Sequence, residues 1–339
     1  MKLLVCTQSV DTEDLVLGFF VGWLKAFEKT FGTMNIIALQ VGQYDLKSQV
    51  HSLGKERGSQ GRLRYSIRFL LHVWKLRREY DAVFVHMNEE YALLAGWLWK
   101  LLGKKVYLWR NHYEGSLATD IAAFFCEKVF CTSKFSYTAK YKKTVLMPIG
   151  IDTALFQPLR EIRRVPGSLL FFGRFAPSKR PDVLVSAVRM LHAQNIPCSV
   201  TFFGSALARD AAYKASVQAD SYSLENARFF EGVPHAAAPS VFSEYEIFVD
   251  LSESGMYNKT IFEAAACGCL VLAASKDFAE SADARLSFDG SAETLAEKLK
   301  GLLSLRDGER RVLIEQLSHM ADTHSLPSLV HSLAKEMNL

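Results

Sequence analysis

The chain has 339 residues, too many for one small domain and suited to two of about 150 each. Hydrophobic residues make up 49% and charged residues 22%, as in a globular enzyme. A net charge of +4 is too small to imply a nucleic-acid partner by itself.

The six cysteines, at 6, 126, 131, 198, 267 and 269, form no C-x-x-C and mostly sit in apolar runs. They read as buried reduced thiols of a cytoplasmic protein, with no structural zinc site expected. The opening MKLLVCT is short, apolar and β-prone, and reads as a first strand rather than a signal peptide. The longest apolar stretch, Tyr91 to Leu102, is interrupted by Lys100 and is too short to span a bilayer, so any membrane link is expected to be peripheral.

Residues 2–6 are predicted as strand one, and 15–30 (LVLGFFVGWLKAFEKT) as a helix with one apolar face. Strands are predicted at 34–39, 80–86, 104–109 and 128–133, with helical patterns between them. This alternation predicts a doubly wound α/β domain, in which the C-terminal edges of the strands line a ligand crevice. The polar residues expected in a loop after strand one (Gln8, Ser9, Asp11, Asp14) are therefore candidates, as are His86, Asn88, Glu89, Asn111, His112 and Glu114. A lone histidine is more often a structural residue than a functional one.

Neither G-x-G-x-x-G after strand one nor G-x-x-x-x-G-K-[ST] occurs, which disfavours a dinucleotide oxidoreductase or a P-loop enzyme. In residues 55–79, eight Lys and Arg residues alternate with Leu63, Tyr65, Ile67, Phe69, Leu70, Val73 and Trp74. Two readings fit. A basic amphipathic helix can lie on an anionic membrane surface, where each basic residue adds about 1 kcal/mol. Alternatively, the helix packs its apolar face inward and leaves its arginines in water.

Residues 146–158 read as a hinge, followed by a linker from Pro158 through Arg160–Arg164 to Pro166. A second domain restarts with a strand at 168–174. Arg174 and Lys179 then bracket a turn containing Pro177, a plausible diphosphate clamp or a plain basic surface turn. A strand at 199–206 contains Gly204. Residues 247–275 form a strand, a loop with Ser254 and Gly255, a helix with Thr260 and Glu263, and a second strand. Such a loop presents backbone N–H groups at a helix start, and Gly255 permits close approach. Glu263 is placed to accept hydrogen bonds from a vicinal diol, or is simply a solvated glutamate in a buried βαβ unit. Helices are predicted at 291–305, 308–322 and about 326–338.

These motifs resemble those of the retaining GT-B glycosyltransferases, in particular the GT4 type (glycosyltransferase group 1). The family pattern E-x7-E followed by A-x-A-x-G-x-P-V is matched by Glu263 and AAACGCLV, with Leu270 in place of proline. Gly255 stands where the first glutamate is usual, and Glu253 lies two residues too early. GRFAPSKRPD resembles G-R-x-x-x-x-K-(G)-x-D, with Arg180 in place of glycine, a tolerable change if that residue does not need positive φ. ARFFEGVPH resembles V-x-F-x-G-x-V-P-H, and P-x-G-I-D at 148–152 resembles the end of the first GT-B domain.

The resemblance implies an α/β GT-B fold: two doubly wound Rossmann-like domains facing a central cleft. The first would span 1–158 and regain a C-terminal crossing helix at about 326–339; the second, 159–325, would bind the donor. It implies a hexosyltransferase-type glycosyltransferase that takes a nucleoside diphosphate sugar and a saccharide or lipid-linked acceptor. Arg174, Lys179 and His112 would be catalytic. Gly150, Gly173, Gly204, Val233, Pro234, Ser254, Gly255, Met256, Lys259, Thr260 and Glu263 would hold the donor, with Glu263 on the ribose and Val233–Pro234 at the base. Gln8, Asp11, Asp14, Asn88 and Glu89 would face the acceptor. Positive groups at the β-phosphate make a metal unnecessary, and no cofactor is expected. Cell-surface polysaccharide or glycolipid synthesis is the expected context, with the protein cytoplasmic or peripheral on the inner face of the membrane. A GT-B sugar-nucleotide epimerase and a non-catalytic sugar-nucleotide-binding protein are the alternatives.

Overall fold

The structure is a computed structural model that describes residues 2–224, 226–252, 254, 255 and 257–338. The chain divides into two compact units: Met1–Gly150 with Leu326–Leu339, and Ile151–Ser325. The division falls at Gly150, ahead of the boundary expected at 158. Local packing gives the reason. The Gly150 carbonyl accepts a hydrogen bond from Trp23 Nε1 at 2.7 Å. Its φ is +77°, and a Cβ there would strike Leu329 and Trp23. Ile151 already pairs with Ser325 in the second unit.

The first unit holds seven parallel strands: β1 Leu3–Val10, β2 Asn35–Val41, β3 Gln49–Ser52, β4 Ala82–His86, β5 Lys105–Trp109, β6 Lys128–Cys131 and β7 Thr144–Leu146. Their order is β3-β2-β1-β4-β5-β6-β7. The outermost strands, β3 and β7, are not anticipated by the apolar pattern. Each is short and half-exposed, so neither needs a long hydrophobic run. β1 outruns its predicted end, because Ser9 and Val10 continue to pair with Gln40 and Val41 of β2. Gln8 and Ser9 therefore lie in the strand and not in a loop.

Helix α1 (Phe19–Phe31) begins later than predicted, because Asp14 Oδ1 accepts the N–H groups of Val16 and Leu17 and holds that stretch as a turn. Helices α2 (Arg62–Lys75), α3 (Glu90–Leu101) and α4 (Leu117–Phe125) follow. Strand residues alternate between two cores. Leu3, Val5, Phe84 and Tyr107 meet α1 on one face, while Leu4, Cys6, Val83 and Val106 meet α2, α3 and α4 on the other.

The second unit has five parallel strands: β8 Val165–Phe172, β9 Ser199–Phe203, β10 Ala227–Phe230, β11 Tyr245–Asp250 and β12 Leu270–Ala273. They are ordered β10-β9-β8-β11-β12. The helices are α5 Pro181–Ala193, α6 Ala211–Asp220, α7 Ala238–Glu244, α8 Lys259–Ala266, α9 Lys276–Ala279, α10 Ala292–Leu303 and α11 Asp307–Thr323. Helix α12 (Leu326–Met337) then packs on α1 in the first unit, burying Leu326, Leu329, Val330 and Leu333. The expected linker is anchored rather than free. Arg164 donates to the carbonyls of Tyr245 and Cys267, and Pro166 already lies in β8. The strand order reverses between β8 and β11, so a crevice belongs at the C-terminal ends of those two strands.

Candidate functional site

Two glycines shape the end of β8. The Gly173 N–H donates to Phe203 O at 2.9 Å, and the Gly204 N–H donates to Phe230 O at 3.0 Å. A Cβ on Gly204 would overlap the Gly173 carbonyl, so the chain ends of β8 and β9 approach closely only with glycine there.

Beside them, β11 ends in a polar cluster. Asp250 is buried, and its carboxylate accepts from the Ser252 N–H at 3.1 Å and from Asn258 Nδ2 at 2.7 Å. Asn258 Oδ1 in turn accepts from Lys179 Nζ at 2.8 Å, and Ser252 Oγ accepts from the same ammonium at 3.0 Å. Burial pushes the Lys179 ammonium below its ordinary range; Asp250 opposes that shift and Arg174 adds to it. Arg174 itself is exposed. The turn between them ends at Arg180, whose φ of +48° is left-handed. The condition set for arginine here, a backbone without positive φ, is therefore not met. The strained backbone is accompanied by a bond from Arg180 Nη2 to Gly290 O at 2.9 Å.

A second cluster lies along α8. Glu263 is buried one turn into the helix, with its Oε1 at 3.1 Å from His235 Nε2. His235 follows the half-buried Val233 and Pro234, and its ring centroid lies 4.9 Å from that of Phe156. Lys259 stands four residues before Glu263, on the same side of the helix. Burial lowers its pKa to about 8, against the attraction of Glu263 and Asp152. Thr260 is half-buried beside it. In the preceding loop, Ser254 Oγ accepts the Lys276 N–H at 2.9 Å. Gly255 is buried at φ +97°, a conformation that L side chains rarely adopt. Met256 and Glu253 lie outside the described residues.

The structure thus brings Lys179 to the loop before α8, and Glu263 to His235, which follows Val233 and Pro234 in the chain. Sequence reasoning missed Asp250, Ser252, Asn258 and His235 as partners. A polar Asp closing the apolar run of β11 was the available signal.

In the first unit the candidates serve local structure. Asp11 Oδ1 accepts the N–H groups of Glu13 and Gln43. Burial raises the Asp14 pKa, but hydrogen bonds from Leu17, Val16, Ser9 and Gln40 outweigh it and hold the carboxyl below its usual range. Glu89 is paired with Arg110 and accepts from Thr119 Oγ1 at 3.0 Å. Asn88 follows Met87, whose φ is +65°, and donates its N–H to His86 O at 2.8 Å. His86 is buried and stacked on Phe20 at 3.7 Å. His112 is half-exposed; its Nδ1 accepts the Glu114 N–H at 3.0 Å, which leaves the proton of a neutral ring on Nε2. Gln8 is half-buried in β1. Gly150 is held by Trp23, as described above.

Among the described residues no group of three or more His, Cys, Asp and Glu is placed to hold a metal ion, and no helix is long and apolar enough to cross a membrane.

No curated protein sequence matches the chain. Solved structures do. Anabaena Alr3699/HepE, in a complex with UDP, superposes with a TM-score of 0.79 over 100% of both chains at 15% identity. Sucrose-phosphate synthase from Thermosynechococcus elongatus gives 0.80 over 100% of this chain and 98% of that one, at 14% identity. A glycosyltransferase from Rickettsia africae gives 0.77 over 98% and 97%, at 16% identity. Likeness at these identities establishes the fold. The family described as Glycosyl transferases group 1 matches residues 166–305, a span that holds both polar clusters. Residues 166–305 are thus similar to the group 1 glycosyl transferases, and the chain as a whole has the GT-B fold.

Proposed function

We propose that the protein moves a hexosyl group from a nucleoside diphosphate sugar to a saccharide or lipid-linked acceptor, with retention at the anomeric carbon as in GT4 enzymes. The observation that carries this reading is Lys179, held at the strand-order reversal by Asn258 and Ser252, with Arg174 exposed beside it.

In this reading negative charge develops on the β-phosphate as the glycosidic bond breaks. Lys179, whose position is set before the substrate arrives, and the exposed Arg174 stabilise it as cations. Lys259 and the backbone near Gly255 and Ser254 contribute to phosphate or sugar binding. Glu263 accepts the ribose hydroxyls, and Val233 and Pro234 lie against the base. His112 is assigned to the transferred sugar, and Gln8, Asp11, Asp14, Asn88 and Glu89 to the acceptor side. No cofactor or divalent metal takes part. The context is cell-surface polysaccharide or glycolipid synthesis at the cytoplasmic side.

HepE is described with UDP and with UDP-glucose, which makes UDP the first nucleotide to try. The test is calorimetric titration of UDP, GDP and ADP, with and without magnesium, into wild type and Arg174→Ala. Metal-independent binding of one nucleotide, lost in the variant, supports the donor site. Absence of binding by all three rejects it. An epimerase would convert the donor sugar with no acceptor present.

A further inference from the structure

The outer surface of the first unit carries apolar side chains where a helix layer facing water ordinarily carries polar ones. On α2, Leu63, Ile67, Leu71 and Trp74 are exposed, Leu63 to 75% and Leu71 to 63%. Their spacing of i, i+4, i+8 and i+11 places them on one side of the helix, away from the buried Phe69 and Val73. The apolar face of the basic segment is thus divided: one part enters the core and another meets solvent.

The two neighbouring helices continue the pattern. Trp97 and Leu101 of α3 are exposed, Leu101 to 78%, as are Leu117, Ile121 and Phe124 of α4. All three helices cover the same face of the sheet. Phe69 of α2 meets Trp99 of α3 edge-on at 6.0 Å, and a Cβ on Gly96 of α3 would strike Phe125 of α4. The exposed residues therefore form a shared face rather than scattered single positions.

Cations border this face. Helix α2 contains Arg62, Arg64, Arg68 and Lys75 and no Asp or Glu, and Arg77 and Arg78 follow at once. The Arg77 guanidinium lies 4.3 Å from the Trp74 ring centroid, and the Lys100 ammonium lies 4.5 Å from that of Phe124. Aliphatic stems along apolar rings with charged heads at the edge suit a boundary between acyl chains and phosphates. On α4, Asp120 is already engaged by Lys140, Tyr137 and Tyr141. A second copy of the chain would set one basic face against another, so like charges oppose self-association here.

We propose that this three-helix face rests on an anionic lipid surface. The Leu, Ile and Phe side chains enter the acyl boundary, Trp74 and Trp97 sit at the headgroup level, and the Arg and Lys groups meet lipid phosphates. This face belongs to the first unit alone and is independent of the donor chemistry.

The test is co-sedimentation of the full chain with two vesicle types: pure phosphatidylcholine, and phosphatidylcholine containing about one third phosphatidylglycerol. Binding to the anionic vesicles should be at least about tenfold tighter than to neutral ones, and salt should weaken it. The pair Leu63→Ser with Leu71→Ser should weaken binding about tenfold, and so should Leu101→Ser with Phe124→Ser. Tyr222→Ser, at an exposed site of the second unit, should leave it unchanged. All of these side chains face solvent; if an apolar pair fails to fold, Arg64→Glu with Arg78→Glu reads the same contact. Equal binding to both vesicle types overturns the proposal, as does loss confined to the α2 variants. Self-association abolished by the same substitutions, with no vesicle binding, overturns it in favour of a homodimer face.

Discussion

Lys179 Nζ lies 2.8 Å from Asn258 Oδ1, so a cation from the turn after β8 is fixed by the residue that precedes α8. The ammonium has a defined position although burial disfavours its charge. Lys179→Ala should lower turnover by several kcal/mol of transition-state stabilisation, about 3 kcal/mol by analogy with loss of one oxyanion donor. Asn258→Ala should cost less, because Ser252 still holds the ammonium. Steady-state kinetics with the matched donor decide this, and wild-type turnover in Lys179→Ala removes the cation from the mechanism.

Glu263 and His235 form a pair in which the carboxylate Oε1 lies 3.1 Å from the imidazole Nε2. Glu263→Gln should weaken nucleotide affinity by about 1.5–3 kcal/mol, the worth of a charge-assisted hydrogen bond. His235→Ala should weaken it less, through lost orientation of the carboxylate. Calorimetry on the two variants measures both, and an unchanged dissociation constant for Glu263→Gln excludes the ribose contact.

The lowered pKa of Lys259, about 8, gives a pH signature. Below that value the group is an ammonium and attracts phosphate; above it the charge is lost in the free protein. Nucleotide affinity should therefore fall about fivefold between pH 8 and 9. Lys259→Arg should stay flat over this range, since a guanidinium remains charged. A flat wild-type profile would falsify the assignment.

Burial lowers the His324 pKa from 6.5 to about 4, with Phe262 at 4.3 Å and Tyr257 at 5.7 Å between ring centroids. The unfolded chain takes up its proton below 6.5, while the folded chain resists until about 4. Stability contributed by the neutral ring is full above 6.5 and is lost as pH falls through that window, on the order of 3 kcal/mol in all. His324→Phe should lose less melting temperature than wild type between pH 7 and 4.5. Parallel losses in the two proteins exclude the linkage.

Gly204→Ala should destabilise by about 1–3 kcal/mol, because the added methyl would overlap the Gly173 carbonyl. At Gly173 itself a Cβ would meet only the Phe171 ring at ordinary contact distance, so Gly173→Ala should be milder. Thermal unfolding of the two variants compares them directly, and equal losses contradict the close approach of β8 and β9.

The strands that cross the middle of each sheet were legible in the sequence because both of their faces are buried. LLVC in β1, AVFV in β4 and IFV in β11 read as continuous apolar runs for that reason. The edge strands β3 and β7 left almost no such signal, since a strand exposed on one side needs few apolar residues. Arg174, Lys179 and Glu263 could be chosen from their spacing, because a turn and a helix fix near neighbours along the chain. Their partners could not. Lys179 and Asn258 stand 79 residues apart, and Glu263 and His235 stand 28 apart, so only the folding of β8 beside β11 and the packing of α7 on α8 bring these groups together. The same holds for the surface of α2. Its composition showed a basic amphipathic helix. Which apolar residues enter the core was decided by packing on the sheet, and which join those of α3 and α4 in solvent was decided by the order of the helices.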